Sequence, residues 1–356
     1  MICSFRQFII ELGNMKLVIG FITYNELTSK YLPFFLPILK EALATAFGVY
    51  QAADHYQIVA VDNSTNQAND NQAYIESNFP DINLSYAEAN LGFARAYNLM
   101  IEQAEHLGAE YFLMINPDTV LAPNSILKLM EALDADQSLG AVAPRILQWD
   151  FAHNTQTNII DSDGLFITSS HRSSDRHQGQ VALPAEPQMV FGFTGAAALI
   201  RLKALVDIAS ADQYLDELMF MYKEDVDLSY RLQLANWPIK LIPDALVYHD
   251  RTASPMGEGL KQIIRNRHNK SRSVKRWSFL NQWILVLKYV SLGYSWKVKF
   301  RTWRYQLLSL FFVILFEPYL LGELAQLWRH RAEIRAKRQS LKIVVNPNNI
   351  EKMMDN

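Results

Sequence analysis

Cysteine is almost absent: Cys3 is the only one in 356 residues. A lone thiol closes no intrachain disulfide and offers no cluster for zinc, so a disulfide-stapled scaffold and a thiolate metal site are both excluded. Long apolar runs are scarce too. The two richest stretches, WILVLKYVSLGYSW and QLLSLFFVILFEPYLL, are interrupted by Lys288 and by Glu317-Pro318 before either reaches the roughly 20 residues that cross a bilayer. The start, MICSFRQFIIELGNMK, lacks the apolar core and small-residue cleavage site of a secretory signal, and the catalytic region is expected to stay in the cytoplasm. A glycine-rich phosphate loop is also missing. The first strand runs into Thr23-Tyr24-Asn25 instead of G-x-G-x-x-G, which argues against a nicotinamide-dependent oxidoreductase. The stretch 23–33 supplies only Lys30, short of the basic loop a nucleotidyltransferase uses.

What is present is an apolar share of 50% with 20% charged residues, ample for a sizeable core and incompatible with a disordered chain. The net charge of −2 hides a division: residues 1–250 carry 14 Lys and Arg against 30 Asp and Glu, whereas 251–345 carry 19 against 4. An acidic front and a basic, aromatic-rich rear predict a soluble catalytic domain followed by a segment drawn to something anionic. Trp, Tyr, Lys and Arg around the apolar blocks of 277–330 suit helices lying in a membrane interface, which favours anionic lipid over nucleic acid as the partner. The alternative is a packing or self-association surface, hence a homo-oligomer.

KLVIGFITYN, QIVAVDNS and EYFLMINPD read as strands buried on both faces, alternating with helical stretches near 32–47, 68–78, 92–105 and 125–136. That alternation predicts an α/β fold, a mostly parallel Rossmann-like sheet with helices on both faces, whose ligands gather at the carboxyl ends of the strands. Residues 150–188 read as loop-rich, with His153, His171 and His177 in no ligand spacing. MVFGFTGAAALIRL returns to core character, with Gly192 and Gly195 permitting close backbone approach. KLIPDALVYHD is a last strand ending in His249.

The strand ends carry the chemistry. Asp118, on a turn after a strand, can hold Mg²⁺ or Mn²⁺ with substrate phosphates filling the other positions; Asn-Pro-Asp serves equally as a turn and helix cap. Asp62 can accept from a nucleobase or ribose, or simply close its turn. Glu224, Asp225 and Asp227 fall in a helix's first turn, where the dipole alone would favour them. Asp225 is the candidate general base, able to take a proton from an attacking hydroxyl. His249 is either a metal ligand or a histidine at the core's edge.

VIGFITYN, VAVDNS, NLGFARAYN, FLMINPD, FGFTGAAALIR and EDVDLSYRL, in this order, resemble a family 2 glycosyltransferase, more narrowly the bacterial rhamnosyltransferase-like group acting on cell-surface polysaccharides. The resemblance covers about residues 15–270. It implies a GT-A fold, a nucleotide-diphospho-sugar donor, a divalent metal and an inverting single displacement. It also implies that Thr23 and Asn25 line the nucleotide pocket, that Asp62 meets the base, and that Asn90, Gly92, Arg95 and Asn98 flank the donor. Asn116 and Asp118 stand where the family often has Asp-x-Asp, leaving one charged ligand. Asp225 matches the general base with Glu224 supporting it, and His249 a metal or phosphate contact. Gln262 and Arg265 resemble part of the Gln-x-x-Arg-Trp of processive synthases, and with Trp absent there the pattern implies addition of one sugar, Arg265 helping to bear diphosphate charge. The expected donor is dTDP-rhamnose, with a UDP-hexose as alternative, and the acceptor a lipid-linked saccharide at the cytoplasmic face of the membrane. The expected organisation is an extension at 1–14, a catalytic domain at 15–255, membrane-associating helices at 256–340 and a tail at 341–356.

Overall fold

A computed structural model describes residues 15–48, 55–210, 213–250 and 271–355; the expectations placed on 1–14 and on Arg265 lie outside them. The apolar segments form strands β1 (Leu17–Thr23), β2 (Tyr56–Asp62), β3 (Asn83–Tyr86), β4 (Tyr111–Ile115), β5 (Thr119–Leu121) and β6 (Ala141–Asp150). Further along come β7 (Thr155–Ser162), β8 (Leu165–Thr168), β9 (Ser173–Asp175), β10 (Gln188–Val190), β11 (Ala197–Arg201) and β12 (Ile239–His249). The main sheet runs β10-β12-β6-β11-β4-β1-β2-β3, with β5 on β12 and β7 on β6. β3, β2, β1 and β4 are mutually parallel, and β12 is parallel to β6. Between the two groups β11 runs antiparallel to both β4 and β6. The parallel sheet expected from the alternation is therefore present with β11 reversed at its centre, and with β5, β7 and β10 antiparallel to their partners β12 and β6 on one side.

Helices cover both faces, as buried parallel strands require. One core packs helix Gly92–His106 against Val18, Val59, Phe112 and Ala198; the other packs Leu32–Phe47 and Ser125–Ala135 against Leu17, Ile19, Leu113 and Leu199. Asn69 caps helix Asp70–Asn78 by accepting from the Asn71 and Gln72 amides. Pro144 lies in β6 just beyond its pairing with β11 and opposite the irregularity between Ile242 and Leu246 of β12, where a missing donor is tolerated.

The segment read as loop-rich instead contains β7, β8 and β9, the last two in a small second sheet. Its β7 folds back on β6 and its β9 on β8, while Ile167 of β8 also pairs with Met354 near the far end of the described chain, which local patterning does not reveal. Its histidines have structural partners: His153 with Asp150, His177 with Asp163, and buried His171 with the Tyr230 hydroxyl. Burial pushes His171 down to about 4.

The basic rear is welded to the catalytic layer. Helices Arg272–Tyr289 and Arg331–Gln339 share a core with Phe191, Met219, Val226 and Tyr230. Lys288, which interrupts an apolar run in the sequence, is 2% exposed and bridges Asp216 at 2.8 Å and Asp227. Arg231 and the Tyr289 hydroxyl complete Asp227 at 3.0 and 2.7 Å, and Lys337 meets Asp216 from a second helix. Removing the shared cation leaves Asp216 to Lys337 and Asp227 to Arg231, with part of the buried negative charge uncompensated, so Lys288→Met is expected to cost about 3 kcal/mol, the low end for a broken buried pair, read as a lowered urea midpoint.

Candidate active site

Three strand ends and one helix start meet at the carboxyl edge of the sheet. Thr23 and Asp62 are direct neighbours in the β1–β2 register, and Thr23 Oγ1 donates to Asp62 Oδ1 at 3.0 Å. The same carboxylate accepts from the Ser64 amide and hydroxyl and from Asn69 Nδ2. Asp62 is fully buried and fixes the turn after β2. Asn25, at φ 45°, donates its amide to Ser64 Oγ and receives the Thr65 amide on its side chain. A cavity of about 540 Å³ opens there, lined by Asn25, Leu27, Asn66, Asn69 and Asp70.

Asn63 and Asn90 connect that end to the next helix. Asn63 Nδ2 donates to the Gly92 carbonyl, and Asn90 Oδ1 accepts the Gly92 amide. Gly92 has φ +77°, and a Cβ there would stand 2.4 Å from the Phe220 carbonyl; only glycine suits both conditions. Arg95 is exposed on the helix's first turn. Asn98 points elsewhere: its amide clamps Leu215 and Glu217 through three hydrogen bonds, so it positions the 215–217 segment.

Beyond β4, the Asn116 amide donates to the Ala196 carbonyl, and the adjacent Gly195 amide donates to Asp225 Oδ2 at 3.0 Å. Asp225 is thereby held beside the β4 end from a helix, Glu224–Leu234, that begins far along the chain. Tyr222 and Lys223, at φ 71° and 72°, precede it in the left-handed region. Asn281 of the rear helix donates to the carbonyls of both Met221 and Tyr222 at 2.9 and 2.6 Å and keeps that turn in place. Burial pushes the Asp225 carboxyl up, while the Gly195 and Val226 amides pull it back.

On the far side of Asn116, Asp118 Oδ2 lies 3.4 Å from His249 Nε2. His249 Nδ1 donates to Asp161 Oδ2 at 2.8 Å, which turns Nε2 toward Asp118. Desolvation alone would lower the His249 pKa, but Asp118 and Asp161 outweigh it and hold it at about 10. Asp118 Oδ1 is buried with no hydrogen-bond partner. An orphaned carboxylate oxygen beside an oriented imidazole suits a hard or borderline divalent cation that takes the place of the Nε2 proton and whose other positions substrate oxygens fill. No group of three or more candidate ligands occurs among the described residues, consistent with Asn116 replacing a second carboxylate. Gly195 is where the sequence expects close backbone approach, whereas Asp161 and Asn281 carry no signal there: Asp161 sits in the segment expected to be loops, and Asn281 is one polar residue inside a helical run.

The profile of a family described as "Glycosyl transferase family group 2" matches residues 111–328. A protein of Mycobacterium tuberculosis described as N-acetylglucosaminyl-diphospho-decaprenol L-rhamnosyltransferase is 27% identical over 198 residues, 49% of this chain and 61% of that protein. The match therefore spans less than two thirds of the relative. The crystal structure of GalNAc-T7 with UDP, GalNAc and Mn²⁺ aligns with a TM-score of 0.50 at 13% identity, over 76% of this chain and 51% of that one. At such identity the likeness bears on the fold, which is GT-A.

Glu224 gives a pH signature. Burial, with the Asp225 charge adding to it, holds its carboxyl well above the usual value of 4.5, and its Oε2 has no hydrogen-bond partner. A carboxyl raised on folding favours the native state fully below its unfolded pKa and loses that contribution as pH rises. Glu224→Gln is therefore expected to match wild type in urea midpoint at about pH 4 and to exceed it at about pH 8.

Proposed function

The chain belongs to glycosyl transferase family group 2, and from that premise we propose that it moves one sugar, with inversion, from a nucleotide-diphospho-sugar to a hydroxyl of a lipid-linked or cell-surface saccharide. The observation that carries this reading is the junction at Gly195 and Ala196, which sets Asp225 and the β4 end with Asp118 on one sheet edge. The donor is dTDP-rhamnose, a choice supported by the description of the mycobacterial relative.

The nucleotide occupies the cavity beside Asn25 and Asn69, against the Thr23–Asp62 turn. Asn90, Gly92 and Arg95 flank the diphosphate at the start of a helix, where the Arg95 guanidinium and the helix dipole favour anions. Asp118 and His249 would hold Mg²⁺ or Mn²⁺, which when bound supplies charge neutralisation on the diphosphate. Asp225 removes the proton from the acceptor hydroxyl as its oxygen bonds to the anomeric carbon. The bond from that carbon to the diphosphate breaks with its electron pair going to the diphosphate. A carboxylate raised by burial is suited to that transfer.

The rear helices place the enzyme on its acceptor. Helix Trp296–Phe316 turns Thr302 and Gln306 inward and leaves Trp296, Phe300, Leu307 and Phe311 at 60–72% exposure. Lys297 and Arg304 are exposed on the same helix. A helix whose apolar side faces outward among cations fits the interface of an anionic leaflet, here the cytoplasmic face of the membrane. No helix among the described residues is long and apolar enough to cross a membrane.

Two measurements test this reading. With dTDP-rhamnose, Asp225→Asn is expected to lower kcat by about 10²- to 10⁴-fold while the donor-induced rise in Tm persists; an unaltered rate removes Asp225 as base. In flotation at low salt, wild type is expected to rise with anionic vesicles and stay down with neutral ones. Replacing Phe300, Leu307 and Phe311 by Glu should abolish the difference.

A further inference from the structure

Behind the catalytic turn, a groove of about 330 Å³ separates the 218–220 segment from the rear helices. Nothing in the donor chemistry above uses it. On one side the Trp277 ring lies 5.1 Å from Phe220 and 6.5 Å from Tyr222, centroid to centroid. On the other, Gln326 and His330 project from the neighbouring helix region. Arg276 also lines the groove, with its Nε at 2.5 Å from Glu323 Oε1, so that cation is already balanced. The wall is continuous with the active site: the Phe220 carbonyl accepts the Phe93 amide beside Gly92, and Asn281, another lining residue, grips the carbonyls of Met221 and Tyr222 just before Glu224 and Asp225.

Resting on the glycosyltransferase reading, we propose that this groove is the acceptor subsite and takes a neutral pyranose of the acceptor, stacked on Trp277 and hydrogen-bonded through Gln326 and His330. A pyranose has an apolar C–H face and a rim of hydroxyls, and the groove offers an aromatic plate facing polar side chains. Its volume falls at the lower end for small-molecule sites. A diphosphate would need cations in surplus, whereas Arg276 arrives paired with Glu323. Leu218, Leu280, Ile284, Leu327 and Ile334 complete the apolar lining, and a polyprenyl chain would fit them but offer the Gln326 amide no partner. A sugar seated here lies against the 218–220 segment, whose chain continues into Glu224 and Asp225.

The test is saturation-transfer NMR on the full chain, with dTDP and a panel of methyl glycosides of N-acetylglucosamine, glucose, galactose, mannose and rhamnose as probes. Wild type should show saturation of dTDP and of at least one glycoside, strongest on one ring face. Trp277→Ala should lower the glycoside signal at least five-fold, and the milder Gln326→Ala at least two-fold, both with the dTDP signal retained. No glycoside signal in wild type, or an undiminished one in both variants, overturns the acceptor subsite. Loss of the dTDP signal together with the glycoside signal in Gln326→Ala also overturns it, because the groove would then not be separate from the donor site. Absence of a dTDP signal in wild type, and of a UDP signal when UDP replaces dTDP as the probe, would instead bring down the underlying donor reading.

Discussion

The two peptide groups at Gly195 and Ala196 join the halves of the site. The Gly195 amide donates to Asp225 and the Ala196 carbonyl accepts from the Asn116 amide, so a helix from late in the chain is referenced directly to the end of β4. Gly195 has little room for a side chain, since a Cβ would meet the Phe93 ring at 3.0 Å. What is attributed to the base follows from this seam: its position beside the end of β4, and the amide hydrogen bond that holds its carboxyl against the rise that burial imposes.

Electrostatics bind the same parts together. The chain's acidic front and basic rear look like separate units in composition, yet Lys288 and Lys337 neutralise Asp216 and Asp227 in the interior, and Lys342 meets Asp207 at 2.5 Å. Lys288 and Lys337 hold the Asp216 carboxyl below the usual range despite its burial. Part of the rear's positive charge thus anchors it to the sheet, and the exposed remainder on helix Trp296–Phe316 is what an anionic surface would meet. The rear helices also shape the catalytic turn, because Asn281 comes from one of them.

Much of this was legible in the sequence. The continuous apolar runs at 17–23, 56–62 and 111–115 are buried parallel strands, and polar residues at their ends mark the edge where β1, β2 and β4 stop. The Glu224–Asp225 pair is legible as the acidic start of a helix. What stays hidden depends on partners remote in the chain. β8 pairs with Met354–Asp355 as well as with its neighbour β9, and Asp161 of β7 meets His249 of β12, a contact that no local window contains. Asn98 fits a donor-flanking motif by spacing, while its amide holds Leu215 and Glu217. A single lysine within an apolar run reads alike whether it faces water or, as Lys288 does, two buried carboxylates.

The reversed direction of β11 has an evolutionary reading. Because it runs against β6, β6 ends and β11 begins at the same carboxyl edge, and the chain between Asp150 and Ala197 lends β7 and β10 to the main sheet beside β6 and β12 while β8 and β9 join a second sheet. Both attachment points of that excursion thus lie on the working side of the molecule. Insertions or deletions in the turns between its strands remodel the rim over the substrates while β7 and β10 keep their register, a route by which one scaffold can diversify its preferences.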